Sequence, residues 1–66
     1  MARYYVNQIA QANGDHEVHK TGFTYMPTHK TDLGEHSTCH TAVATAKLYY
    51  AQSNGCFFCS LPCHTT

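Results

Sequence analysis

The residues best equipped for chemistry gather near one end of the chain. Cys56, Cys59, Cys63 and His64 follow one another closely. Cys56-Phe57-Phe58-Cys59 is a C-x-x-C step, a spacing at which a tight turn aims two thiolates at one tetrahedral ion about 2.3 Å away. Cys63 and His64 lie four and five residues beyond Cys59. Either can return to the same ion across Ser60-Leu61-Pro62, but as sequence neighbours they would be strained as ligands together. A further ligand must then be borrowed from His16, His19, His40 or Cys39. His16 and His19 sit on opposite faces of a predicted strand, so at most one reaches a given site, and a strand histidine, His19 or else His16, is the expected completion. The expected metal set is therefore Cys56, Cys59, Cys63, His64 and His19. Zinc is the expected ion because thiolate-rich tetrahedral sites select it, although iron suits the same donors.

Two other readings of these residues stay open. The cysteines can form disulfides, Cys56 or Cys59 with Cys63 or with Cys39, or they can be small buried hydrophobes. Met1 to Gln8 lacks the apolar run of a signal peptide, so a cytoplasmic, reducing location is expected, and there clustered cysteines bind metal or do redox chemistry more often than they form structural disulfides. Narrower motifs fall short. A zinc knuckle would need a final cysteine beyond Thr66, and a haem attachment site reads C-x-x-C-H. A thioredoxin-like C-x-x-C opens a helix, whereas Cys56 follows a predicted one, at its negative end. Asp15-His16-Glu17-Val18-His19 suggests acid–base chemistry, but alternation on a strand makes Glu17 a solvated neighbour of His19 or the group that orients a ligating imidazole. No Ser/His/Asp set, phosphate-binding glycine loop or carboxylate dyad is present, and an enzyme is not expected.

A 66-residue chain buries only about 60% of the surface that its unfolded form exposes. Val, Leu, Ile and Phe supply ten residues between them, so Tyr4, Tyr5, Tyr25, Tyr49 and Tyr50 must furnish much of the remaining apolar area. Such a core needs a staple. Four basic residues balance four acidic ones, which argues against disorder driven by net charge. Arg3, Lys20, Lys30 and Lys47 are scattered, giving little attraction for a phosphate backbone. Neither a nucleic acid nor a membrane is an expected partner. Phe57 and Phe58, inside the cysteine step, suggest instead a surface for a protein partner or a second copy.

The elements that must position these residues follow from local patterns. Arg3 to Ile9 is aromatic and β-branched, and predicts a strand before the Asn13-Gly14-Asp15 turn. His16 to Lys20 is a second strand. Residues 20 to 31 read as a loop with a short extended piece over 23–26, and Thr31 to His36 as a third strand broken by Gly34. Ser37 or Thr38 caps a helix over Cys39 to Gln52, with Cys39, Val43, Ala46 and Tyr50 on its apolar stripe and Asn54-Gly55 as its stop. The whole chain is then one small α+β domain, with an antiparallel sheet of two to three strands, one helix packed on it and a Cys/His-rich tail.

Tyr4-Tyr5-Val6-Asn7, Asn13-Gly14-Asp15-His16-Glu17-Val18-His19, Leu33-Gly34, Cys39, Ala42-Val43, Ala46-Lys47, Tyr50 and Asn54-Gly55-Cys56-x-x-Cys59-x3-Cys63-His64-Thr65 form a pattern covering nearly the whole chain. It resembles a family of small uncharacterised bacterial proteins, and the resemblance implies no function. That family often carries a further cysteine where this chain has Phe23, a departure that weakens any bond or metal site built from positions 23 and 39. The order of strands and helix is also similar to the YegP-like family of small bacterial proteins, which has no such tail and supports α+β alone. Together these features lead to the expectation of a non-enzymatic, zinc-stapled interaction module, with a redox or metal-handling thiol protein, or a disulfide-stapled domain, as the alternatives.

Overall fold

Alternation along β1 (Ala2–Asn7) turns Tyr4 and Val6 to one face, and the opposing β2 (His16–Lys20) sets Val18 directly across from Val6. Both valines are fully buried, each contributing about 1.5–3 kcal/mol of hydrophobic stabilisation. The computed structural model describes every residue except Tyr25 and Thr66. In it β1 lies between β2 and β3 (Lys30–His36), antiparallel to both. The expected break at Gly34 is instead a bulge. Tyr4 opposes Gly34 and Tyr5 opposes Asp32, so Leu33 is the extra residue. Gly34 takes a φ of +82°, a conformation that costs glycine little, while its N–H donates to Asp32 Oδ1 at 2.8 Å. The bulge lets Leu33 join the core.

The helix α1 (Cys39–Ala46) packs Cys39, Ala42 and Ala46 onto Tyr4, Val6, Val18 and Leu33. It ends six residues before the expected Gln52. Residues 47 to 52 have good helix propensity, but Leu48 is largely exposed and a longer helix would find no core beneath it. The chain turns back, Tyr50 stacks on His16 at 3.9 Å between ring centres, and Ser53–Gly55 becomes β4. Thr38 is the N-cap residue, yet its side chain makes no capping bond. The short extended piece expected over 23–26 does not form a strand at its described residues, where Phe23 and Met26 instead make turn bonds to Lys20 and Phe23; Tyr25 within it lies outside the described residues.

The fourth strand changes the expected architecture. The sheet has the order β3-β1-β2-β4, and β4 runs parallel to β2, with His16 opposite Ser53 and Val18 opposite Gly55. The α+β class stands, but the sheet is four-stranded and mixed rather than a two- or three-stranded antiparallel one. Asn54 and Gly55, expected as a helix stop, are buried. Asn54 holds the returning chain in place, its Oδ1 accepting from the Gly55 and Thr65 N–H groups and its Nδ2 donating to Asp15. Among the described residues no helix is long and apolar enough to cross a membrane.

After β4 a short 3-10 turn (Leu61–Cys63) carries Cys63 beneath the start of α1, where it forms a disulfide with Cys39. The bridge spans 24 residues of sequence, and closing a loop of that size lowers the entropy of the unfolded chain by the equivalent of about 3.5 kcal/mol. It fits tightly because Gly55 has no side chain: a Cβ there would approach Cys63 Cβ and the Ser60 carbonyl oxygen to 2.7 Å. Gly55→Ala is therefore expected to destabilise the protein by about 1–3 kcal/mol, read as a lowered midpoint in urea unfolding. A midpoint equal to that of the parent protein would show that the tail has room to yield.

Candidate metal centre

β2 has an outer edge that β4 covers only in part. The chain leaving β4 extends the cover, with the Cys56 N–H donating to the Val18 carbonyl at 3.0 Å. A tight turn closed by the Ser60 N–H to the Cys56 carbonyl at 2.9 Å then brings Cys59 back to the strand. There the Lys20 N–H, a strand donor beyond the reach of β4, is directed at Cys59 Sγ at 3.4 Å. The C-x-x-C step thus caps the last open donor of β2, and the ligand atoms of His19, Cys56 and Cys59 all lie within 4.8 Å of one another.

His19 is oriented from both sides. Its Nδ1 faces Cys59 Sγ at 3.5 Å, and its Nε2 lies 3.6 Å from Glu17 Oε1. With the proton on Nε2 toward the carboxylate, the Nδ1 lone pair points at the two sulfurs, which is how a carboxylate commonly fixes the tautomer of a ligating histidine. The Phe23 ring covers the imidazole in a parallel stack 5.1 Å away, and Phe58 lies beyond it at 6.4 Å. His19 is buried. Burial pulls its pKa below the ordinary 6.5, with the Glu17 charge opposing, so the ring is held in the neutral form that a metal requires.

Cys56 is buried and Cys59 half-buried, and both are free thiols. Burial pushes the Cys59 thiol up to about 11, helped by neighbouring Cys56 and opposed by the Lys20 N–H and the Ser60 hydroxyl. Ser60 Oγ is itself buried without a hydrogen-bond partner among the described residues. It lies outside bonding distance of the sulfur, yet its dipole favours the Cys59 thiolate. An orphaned buried hydroxyl costs about 1–3 kcal/mol, and a negative sulfur beside it would lower that cost. Two sulfurs, one oriented nitrogen and the Lys20 N–H directed at one of the sulfurs suit a divalent, thiophilic ion such as Zn2+.

Of the residues expected as ligands, then, His19, Cys56 and Cys59 come together and two do not. Cys63 is bonded to Cys39, a pairing that the sequence reading did not include, because the 3-10 turn directs its sulfur toward α1. His64 donates from Nδ1 to the Gly55 carbonyl at 3.0 Å and packs edge-on against Phe57, outside the cluster. His16, the rival to His19, donates from Nδ1 to the Asn7 carbonyl on the helix side of the sheet. Cys39, His40 and Cys63 also cluster, but two of these three sulfur or nitrogen atoms are already joined in the disulfide. What the sequence reading missed was the Ser60 hydroxyl, whose only signal was its position next to Cys59.

The protonation of His19 has a direction that can be measured. The unfolded chain takes up a proton near pH 6.5, while the folded one does so only at lower pH. The stabilisation from neutral His19 is therefore complete above 6.5 and is lost as pH falls through the depressed folded value. In urea titrations between about pH 7.5 and 5, His19→Gln is expected to flatten the fall in stability on acidification. Parallel curves for the two proteins would assign the acid sensitivity elsewhere.

No family model, curated protein or solved structure matches the chain, so what the centre does is read from its own donors.

Proposed function

We propose that this chain is a non-enzymatic, zinc-stapled interaction module in which His19, Cys56 and Cys59 hold the ion. The observation that carries the reading is the convergence of these three donors within 4.8 Å from two segments distant in sequence, so that one ion would tie the tail to the outer edge of β2. When bound, zinc would supply a non-redox bond between the returning chain and the sheet, with Cys59 held as the thiolate that the Lys20 N–H favours. A tetrahedral ion with three protein donors keeps one position for water.

The interaction half of the proposal rests on what surrounds the ion. Phe57, Phe58 and Leu61 are exposed on the segment that the staple would fix, and a partner protein or a second copy would meet aromatic surface held at a defined angle. Scattered basic residues give no footprint for nucleic acid. Two free thiols accord with the expected cytoplasmic setting, whereas the disulfide in the same chain opposes it. The disulfide between Cys39 and Cys63 favours the reading of a disulfide-stapled domain as well, and the two staples are compatible because the disulfide uses neither Cys56 nor Cys59. A thiol catalyst is disfavoured, since burial moves Cys59 away from the thiolate.

Zinc at about a hundredfold over its Kd is expected to stabilise the protein by about 2.7 kcal/mol, read by thermal unfolding with and without chelator and by a 1:1 adduct in native mass spectrometry. His19→Ala and Cys59→Ser should abolish the shift and His64→Ala should leave it. Zinc uptake indifferent to His19 and Cys59 would overturn the site. Phe23, stacked on His19, occupies the position at which the resembling family often has cysteine. Phe23→Cys is accordingly expected to tighten zinc binding by about tenfold or more through a fourth protein ligand. Unchanged affinity would mean that position 23 cannot reach the ion.

A further inference from the structure

The four cysteines stand in two oxidation states within one small chain. Cys39 and Cys63 are joined, whereas Cys56 and Cys59 are free. Three of them belong to the same tail, and the backbone of Cys63 is pressed against Gly55, the residue directly before Cys56. Cys63 is therefore close in space to the residue that precedes Cys56, while its sulfur is bonded toward α1. We infer that the Cys39–Cys63 disulfide is a thiol-controlled switch of metal coordination, and that on its reduction Cys63 turns into the cluster as the fourth ligand. The inference rests on the three-ligand reading above.

The exchange is balanced with a dithiol as the reductant. Its two S–H groups become one S–S bond, while the Cys39–Cys63 bond breaks and each sulfur takes up a proton. Cys63 then releases its proton to solvent as its thiolate replaces the water on the ion. Cys39 stays at the first position of α1, where the N-terminal dipole favours a negative sulfur and so eases the breaking of the bond at that end. A pocket of about 340 Å³ gives access. Cys39 and Cys59 both line it, with Lys20 and His40 on the same wall set, so a small thiolate would enter beside a lysine and reach the disulfide next to a ligand of the ion.

Turning Cys63 inward must release two ties of the residues that follow it, His64 Nδ1 to the Gly55 carbonyl and the Thr65 N–H to Asn54 Oδ1. The bonds that shape the 3-10 turn are internal to it, from the Cys63 N–H to the Ser60 carbonyl and from the His64 N–H to the Leu61 carbonyl, and they travel with it. Only Ser60, Leu61 and Pro62 separate Cys59 from Cys63, a spacing that closes on one ion across a bend. The disulfide is the tail's covalent tie to the helix. Reduction would transfer that tie from α1 to the ion on β2 and leave the start of α1 free.

Cobalt(II) alone, as a spectroscopic substitute for zinc, reads the number of thiolates. The oxidised protein is expected to show two, and the protein reduced with a water-soluble phosphine three, so that sulfur-to-cobalt charge-transfer intensity rises by about half. The zinc Kd, from competition with a chromophoric chelator, should fall by about tenfold or more on reduction. Cys39→Ala should give the three-thiolate spectrum without reductant, and Cys63→Ser should stay at two thiolates with it. Both variants lack the disulfide, so each controls for the other's loss of stability. If reduced parent protein and Cys63→Ser give the same spectrum and affinity, the switch is overturned while the two-thiolate spectrum of the oxidised protein still supports the three-ligand site. Failure of the oxidised protein to take up cobalt would overturn the three-ligand site itself.

Discussion

A strand in the middle of a sheet must satisfy hydrogen-bonding groups on both of its edges. For β2 one edge meets β1, and the other is covered by a chain that has only just left the helix. That cover is short: Ser53–Gly55 pairs in parallel, Cys56 adds one further bond to Val18, and the next open donor, the Lys20 N–H, finds a sulfur. The positions of all four cysteines follow from this arrangement. Cys56 and Cys59 lie at the edge because they complete it, Cys63 lies under the helix because the tail must fold back after completing it, and Cys39 opens the helix that supplied the chain.

Packing and chemistry are consequently hard to separate in this molecule. Gly55 is small so that Cys63 can approach, and that approach places the disulfide in the core beside Ala42 and Ala46. His19 faces away from the helix, yet Phe23 and the tail bury it, and the same burial that keeps it neutral raises the Cys59 thiol. A core with few large side chains gains from any link between tail and sheet, whether covalent or through an ion.

Most of the fold could be read from local pattern. β1 announces itself through aromatic and β-branched residues, β2 and β3 through the turn signals that bound them, and Cys39 through Ala46 through small apolar residues at helical spacing. The helix end and β4 could not be read in this way. Residues 47 to 52 have the propensity to continue the helix, and only the unfilled edge of β2, a tertiary demand, calls Ser53–Gly55 into the sheet. The site was legible in part for a related reason. Cys56 and Cys59 are fixed by a local spacing, and strand alternation narrows the strand histidines to one of His16 and His19, but the fate of Cys63 depends on a 3-10 turn against a glycine, which spacing alone does not reveal. Ser60 was invisible because its importance comes from burial, not from type.

The bulge at Gly34 bears on the opposite side of the molecule. β3 is the other outer strand, and a long flat edge there would invite another chain to add to the sheet. Two residues of β3 stand against one of β1 at Leu33 and Gly34, the backbone reverses its handedness at Gly34, and Asp32 bends back to hold that N–H, so the edge is kinked near its middle and charged where Arg3 meets Asp32. Strand-by-strand growth is thereby discouraged. The protein has one edge shaped against the addition of a further strand and another, some two strands away, where aromatic rings, thiols and an imidazole are gathered.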